Sequence, residues 1–435
     1  MNKYEFSSRR RELMDMIGKG SIAILPTAPQ RIRNRDALYP YRADSDFFYL
    51  TGFPEPEAVA VLIPERTQGE YLLFCRERNP EKETWDGRRA GLEGACEIYS
   101  ADDAFPITDL DDILPGLLEN CQRIYYPMGV YADFDSQVVG WINQLRERSR
   151  AGVHAPSALV SLDHLLHDMR LYKSDAELDL MRRAAEISVN AHKRAMQTCR
   201  AGMYEYQLEA EILYEFNRGG SRSPAYASIV GGGENGCILH YVENNCVLKD
   251  GDLVLIDAGA EFENYAADIT RTFPVNGRFS PAQKQVYEIV LAAQAAAIAT
   301  ICPNTHWNEP HEAAVRVLTA GLRDIGLLSG DLETLITENS YKRFYMHRTG
   351  HWLGMDVHDV GDYKIEAEWR LLEPGMVMTV EPGLYIPASQ DIDPRWWNIG
   401  IRIEDDVLVT AEGCEVLTAA MPKTVADIEQ LMASE

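Results

Sequence analysis

Leu253-Val254-Leu255-Ile256-Asp257-Ala258-Gly259-Ala260-Glu261-Phe262-Glu263-Asn264-Tyr265-Ala266-Ala267-Asp268-Ile269-Thr270-Arg271-Thr272-Phe273 reads as two apolar strands around a polar middle, with an aspartate at the inner end of each. The midpoint between the aspartates, 262.5, falls in Glu261-Phe262-Glu263-Asn264. A hairpin turning there sets Asp257 directly opposite Asp268, with Cβ atoms about 5 Å apart.

The same construction recurs downstream. Glu381 ends Met376-Val377-Met378-Thr379-Val380 and precedes Pro382-Gly383; Glu404 ends Ile399-Gly400-Ile401-Arg402-Ile403. Their midpoint, 392.5, lies in a stretch from Ala388 to Trp396 that is too long for a tight turn, so this pairing is the less defined of the two. Two hairpins of this kind gather four carboxylates. Charges of one sign that close do not all stay ionised in a partly dry site without cations. Two divalent ions with a bridging hydroxide would complete such a site. Taken singly, each residue has a plainer reading: Asp257 as a turn residue, Glu381 as a strand terminus, the others as solvated surface groups. The signal lies in the set, joined by His351 in Gly350-His351-Trp352-Leu353-Gly354.

The bulk numbers bound the rest. A chain of 435 residues exceeds one ordinary core, so two domains are expected. Hydrophobic content of 46% and charged content of 25% are those of a soluble globular protein. A net charge of −25 argues against a nucleic-acid surface and against anionic membranes, and is otherwise ordinary solubility. The eight cysteines are scattered without a Cys-x-x-Cys, which favours reduced thiols over disulfides or a thiolate zinc site. With no apolar segment at the N-terminus and no stretch of membrane-spanning length, a cytoplasmic location is expected.

Residues 1 to about 172 read as an α/β domain, with short apolar runs at Ser21 to Leu25, Ala58 to Ile63, Tyr71 to Cys75 and Arg123 to Tyr126. A second domain, 173–435, opens on the capping-box signature Ser174-Asp175-Ala176-Glu177 and a helical period running toward Gly202. A helix from about Tyr204 to Arg218 ends in Gly219-Gly220, and a further helix pair is expected between Pro281 and Gly326. Gly231-Gly232-Gly233-Glu234-Asn235-Gly236 fits the dinucleotide pattern G-x-G-x-x-G. That reading needs a helix directly afterwards, whereas Cys237-Ile238-Leu239-His240-Tyr241-Val242 reads as a strand followed by a turn. The glycines are better explained by close backbone approach or a tight turn.

Asp257-Ala258-Gly259, Asp268-Ile269-Thr270-Arg271-Thr272-Phe273, His351-Trp352-Leu353-Gly354, Thr379-Val380-Glu381-Pro382-Gly383-Leu384-Tyr385 and Gly400-Ile401-Arg402-Ile403-Glu404-Asp405 resemble the aminopeptidase P (Xaa-Pro aminopeptidase) family. Arg42-Ala43-Asp44-Ser45-Asp46-Phe47-Phe48-Tyr49-Leu50-Thr51-Gly52-Phe53 and Trp85-Asp86-Gly87-Arg88-Arg89 resemble its non-catalytic N-terminal domain. The resemblance implies an α/β (α+β) chain with a C-terminal pita-bread catalytic domain. It implies one ion on Asp257, another on His351 and Glu381, and bridging by Asp268 and Glu404. Four carboxylates and one imidazole suit Mn²⁺, with Fe²⁺, Co²⁺ or Zn²⁺ as alternatives. Glu381 is implied to take a proton from the water, His240 and His358 to contact substrate around the scissile bond, and His347 to line a proline pocket. Tyr226, Tyr385 and Arg402 are expected as pocket or supporting groups.

The implied substrates are peptides with proline second, whose Xaa-Pro bond is a tertiary amide without an N–H to grip. Prolidase, which cleaves only Xaa-Pro dipeptides, is the alternative. Such an enzyme must bind the proline carboxylate, usually with a bidentate arginine, and Arg402 is its candidate. With all five metal ligands in place, a ligand-less binding module and the metal-free creatinase are disfavoured. Trp85, read as lying in a polar loop from Glu83 to Gly91, suits a contact surface. The resemblance implies a homo-oligomer, a tetramer or a dimer, in which this loop reaches a neighbour's active site.

Overall fold

The computed structural model describes residue 1 and residues 3–433. They form two compact units, which divide between Met169 and Arg170. In the first unit the apolar runs become a six-stranded mixed sheet, in spatial order Asp103–Pro106, Tyr71–Cys75, Val59–Leu62, Ser21–Pro26, Arg123–Tyr126 and Ala158–Ser161. Ser21–Pro26 is buried along its whole length, as a central strand covered on both faces must be. Its Ile22 and Ile24 pack with Val61, Phe74, Ile124 and Trp141.

In the second unit, Ser174 and Glu177 close a reciprocal capping box at the start of the helix Asp175–Thr198. The helix Glu205–Gly219 stops where Gly220 takes a left-handed conformation, φ 100°. Pro281–Ala299 and Glu309–Asp324 are the later helix pair. Leu208, Phe216, Val286 and Val290 of these helices share a core with Val254, Ile256, Val380 and Ile401 of the strands.

The first hairpin differs from expectation by a shift of its turn. Phe262 pairs with Tyr265, so the turn is centred between Glu263 and Asn264. Both carry positive φ, 48° and 68°, the conformation of a two-residue type I′ turn. Moving the centre by one residue moves every partner by two. Asp257 therefore faces Thr270 instead of Asp268, and Asp268 becomes its diagonal neighbour on the same face. The register holds through the intervening segment, where the Ala258 N–H donates to Ile269 O at 3.0 Å and the Ala267 N–H to Ala260 O at 3.0 Å. At Gly259 a Cβ would run into the Ala267 carbonyl, which explains the glycine after Asp257-Ala258.

The second pairing follows its expected register. Val377–Val380 pairs with Asp405–Thr410 through Val380↔Asp405, and Gly383–Ile386 pairs with Ile399–Arg402 through Gly383↔Arg402. Glu381 and Glu404 thus fall opposite one another, at the break between the two ladders. There the Glu381 N–H turns to Thr349 O (2.7 Å) and the Glu404 N–H to Thr270 O (3.1 Å), which ties the two hairpins together.

Two local expectations are corrected. After the strand Ile229–Gly232 the glycine-rich segment forms a 3₁₀ turn, Gly233–Cys237, and residues 238–242 carry no strand. Ile238 is left 52% exposed, so this apolar run has no sheet face to bury. Trp85 lies in a short helix, Pro80–Asp86, rather than a loop: Asn79 caps it through the Lys82 N–H at 3.0 Å, and Pro80 supplies a preset first turn.

Candidate metal centre

Asp257, Asp268, His351, Glu381 and Glu404 all line one cavity of about 1000 Å³, together with Tyr226, His240, His347, His358 and Arg402. Ligand atoms of Asp268, His351 and Glu404 lie within 4.8 Å of one another. His351 Nε2 is 3.4 Å from Asp268 Oδ2 and 3.7 Å from Glu381 Oε1. Asp257 is set beside this group by two neighbours. The Tyr226 hydroxyl donates to its Oδ1 at 2.6 Å and also touches Asp268, and Arg402 Nη2 donates to its Oδ2 at 2.5 Å.

The electrostatics show the strain of assembling these groups. Burial, with Asp268, Glu381 and Asp257 close by, drives the Glu404 carboxyl far above the usual range. Burial likewise carries Glu381 up to about 7 against the pull of His351 and Arg402. Asp268 is raised by burial and by Asp257. Burial alone would lower His351, yet Asp268 and Glu381 outweigh it and hold the imidazole at about 9. Negative charge is therefore disfavoured at these carboxyls, and cations would relieve the crowding. His351 is also oriented for a ligand, because its Nδ1–H donates to Trp352 O at 2.9 Å and leaves Nε2 facing the carboxylates. Hard oxygen donors with one oriented imidazole fit divalent ions.

The remaining expected residues fall in two groups. His347 is fixed by the Tyr385 hydroxyl at 2.9 Å, and burial with Arg402 nearby lowers it to about 3. Tyr385 is itself held by Arg402 Nη1 at 2.9 Å, and Arg402 Nε donates to Thr270 Oγ1 at 3.0 Å. His358 packs edge-on against His351 with ring centroids 4.4 Å apart, while His240 stands exposed at the cavity wall. Trp85 belongs to the N-terminal unit, is 87% exposed, and is not among the residues lining this cavity.

Sequence reading missed the supports behind the ligands. The Thr270 hydroxyl donates to Glu404 Oε2 at 2.6 Å, and the Asp406 carboxylate accepts the Asp268 N–H at 3.2 Å. Arg271, wholly buried, donates to the carbonyls of Thr270 (2.9 Å) and Glu404 (2.6 Å) and to Asp405 Oδ1 (2.7 Å). Only alternation offered a hint: Thr270 and Thr272 share one strand face and Arg271 takes the other.

The sequence model of Metallopeptidase family M24 matches residues 179–411, and that of the Aminopeptidase P N-terminal domain matches residues 6–125. The structure of aminopeptidase PepP from Pseudomonas aeruginosa superimposes with a TM-score of 0.99 at 61% identity, covering 100% of this chain and 98% of that one. The Xaa-Pro aminopeptidase of Escherichia coli (strain K12) is 47% identical over 99% of this chain and 98% of its own length. A zinc-substituted Escherichia coli aminopeptidase P in complex with product matches with a TM-score of 0.97 at 46% identity, over 100% of this chain and 99% of that one. The fold class is thus an N-terminal α/β domain followed by a C-terminal pita-bread domain, and the chain belongs to the aminopeptidase P group of metallopeptidase family M24.

Proposed function

We propose that this chain is a metal-dependent aminopeptidase that releases the first residue from peptides with proline second. The observation that carries the reading is the convergence of five donor residues, four carboxylates and one oriented imidazole, on one peptide-sized cavity. Asp257, Asp268, His351, Glu381 and Glu404 would hold two divalent ions, with Mn²⁺ preferred, which would supply polarisation of the scissile carbonyl and a lowered pKa of the attacking water.

The protein's own groups do the rest. Glu381 takes a proton from the water and passes it to the proline nitrogen, which leaves as a secondary amine while the water oxygen stays on the released residue. His240 and His358 contact the peptide on either side of the scissile bond. His347, held by Tyr385, offers its ring to the proline. Tyr226 steadies Asp257 and Asp268. Arg402, the candidate carboxylate clamp of a prolidase, has its donors engaged by Asp257, Thr270 and Tyr385, which favours the aminopeptidase.

The test is a length series. Purified protein should hold about two divalent ions per chain, lose activity on chelation and regain it with Mn²⁺. It should cleave Xaa-Pro-Yaa and longer peptides at least as efficiently as Xaa-Pro, and replacing the proline by alanine should cut the rate sharply. Hydrolysis confined to dipeptides would instead identify a prolidase, and full activity after exhaustive demetallation would remove the metal from the reading.

We further read the protein as cytoplasmic and as a homotetramer in which Trp85 meets a partner's active site. No helix among the described residues is long and apolar enough to cross a membrane, and all eight cysteines are free. The indole at 87% exposure supports the contact role. Sedimentation should show a tetramer that Trp85→Ala weakens together with activity; a fully active monomer excludes this assembly.

A further inference from the structure

The catalytic cavity has a second electrostatic end. Among its lining residues the cations are Arg348, Lys364 and Arg402, and Arg402 is committed to Asp257. Arg348 and Lys364 are different. Lys364 Nζ lies 4.3 Å from the centroid of the Trp369 ring, and Arg348 Cζ lies 5.1 Å from the same centroid. Among the described residues the one further side-chain partner of either is neutral, Asn308 Oδ1, which accepts from Arg348 Nη2. Both side chains are exposed at the cavity wall, and among the described residues neither pairs with a carboxylate.

Backbone geometry holds them in place. Lys364–Ile365 and Glu368–Trp369 form a two-stranded hairpin with Lys364 directly opposite Trp369. The turn between them, Glu366-Ala367, has φ of 50° and 73°. Among the described residues the neighbouring acids, Asp362, Glu366 and Glu368, form no ion pair with Lys364, although Asp362 lines the same cavity. Arg348 directly follows His347, the residue read above as lining the proline pocket. Arg348 and Lys364 thus form a cationic rim on the cavity that also holds the carboxylate cluster.

We infer that Arg348 and Lys364, both positioned over Trp369, bind a carboxylate on the primed side of the substrate, the C-terminal carboxylate of short Xaa-Pro-Yaa peptides. The inference rests on the aminopeptidase reading and adds a preference for chain length to it. The cavity would then offer cations as well as metal-holding acids to a short zwitterionic peptide, with Asp362 a further carboxylate on its lining. Charge-assisted contacts of this kind are strong enough to show as about a tenfold change in affinity.

The test compares Xaa-Pro-Leu, Xaa-Pro-Leu-amide and Xaa-Pro-Glu-amide on the metal-loaded enzyme. KM for the free acid should lie about tenfold below that of Xaa-Pro-Leu-amide with similar kcat, and the gap should narrow as salt is raised. Recovery with Xaa-Pro-Glu-amide assigns the rim to a primed-side carboxylate of either origin; no recovery assigns it to the chain terminus. Lys364→Met combined with Arg348→Met should bring the acid and amide KM values together, while Lys19→Met, in the other unit, should keep them apart. Equal KM values for acid and amide in the unaltered enzyme overturn this inference alone. Cleavage of neither peptide overturns the aminopeptidase reading and the inference with it.

Discussion

Glu404→Gln should lower kcat/KM on an Xaa-Pro-Yaa peptide by roughly a thousandfold or more, whereas Glu412→Gln should leave it within about twofold. Glu404 is 1% exposed, faces Glu381 across the break between ladders, and shares its neighbourhood with Asp268 and His351. An amide keeps its size and its acceptor for the Thr270 hydroxyl but cannot carry the negative charge a shared cation needs. Loss of several kcal/mol of charge stabilisation corresponds to a factor of about 10³ in rate. Glu412 sits exposed on the turn before Gly413–Val416. Two readouts separate lost chemistry from lost folding. Without metal, Glu404→Gln should melt no lower than the parent, since burial and the neighbouring carboxylates already disfavour a charge at that position. With Mn²⁺ added, the parent should gain stability and the variant should gain little. Equal effects of the two substitutions on activity would sink the two-ion assignment.

Arg271→Met should give the largest stability loss, about 3–5 kcal/mol. The guanidinium is fully buried and donates to Asp405 Oδ1, to the carbonyls of Thr270 and Glu404, and to Pro422 O at 3.0 Å. Burial would push the Asp405 carboxyl up, but Arg271 and Lys423 outweigh it and hold it below the ordinary carboxylate range. Removing Arg271 leaves four carbonyls, Met421 O at 3.4 Å being the fourth, and part of a buried charge without their donor. Lys423, 2.7 Å from Asp405 Oδ2, already serves the other carboxylate oxygen and replaces none of those contacts. Arg182→Met is the comparison. Its pair with Glu415, also within 3 Å, is exposed on both sides, so the loss should stay below about 1 kcal/mol. Denaturant titration followed by tryptophan fluorescence and circular dichroism measures both. Equal midpoints for the two variants would show that the buried network contributes nothing of its own.

Much of this was legible in the sequence because it is local. A carboxylate that ends an apolar run is visible without any knowledge of partners, so Asp257, Glu381 and Glu404 could be picked out. The helix at Ser174 announced itself through its cap. The first hairpin's register was not legible to within a residue, since Glu263-Asn264 lacks the glycine that usually marks a type I′ turn, and one residue of error there exchanges Asp268 for Thr270 opposite Asp257. The Trp85 helix has a start signal in Asn79-Pro80, but its seven residues carry a single large apolar side chain and so no helical period to go with it. Arg271, Asp405 and Lys423 were beyond reach for a different reason. Arg271 meets Asp405 across 134 residues of chain, and nothing in the spacing of a single sequence encodes that meeting or the arrival of Lys423 on the same carboxylate.

The break at Glu381 and Glu404 also determines where this chain can change length. From Val380↔Asp405 to Ile386↔Ile399 the two strands keep one frame, with the two glutamates inside it. One residue inserted between Val380 and Gly383 would turn a glutamate away from its counterpart, because side chains alternate between faces. Beyond Ile386 the constraint ends. The segment 387–398 closes the ladder from outside, and Pro387, Ala388, Gln390 and Asp391 are exposed. Extra residues accepted at those positions leave the frame of the catalytic carboxylates untouched. Insertions and deletions among descendants of this sequence should therefore collect in that loop, while the seven residues on either side of it drift in identity but not in number.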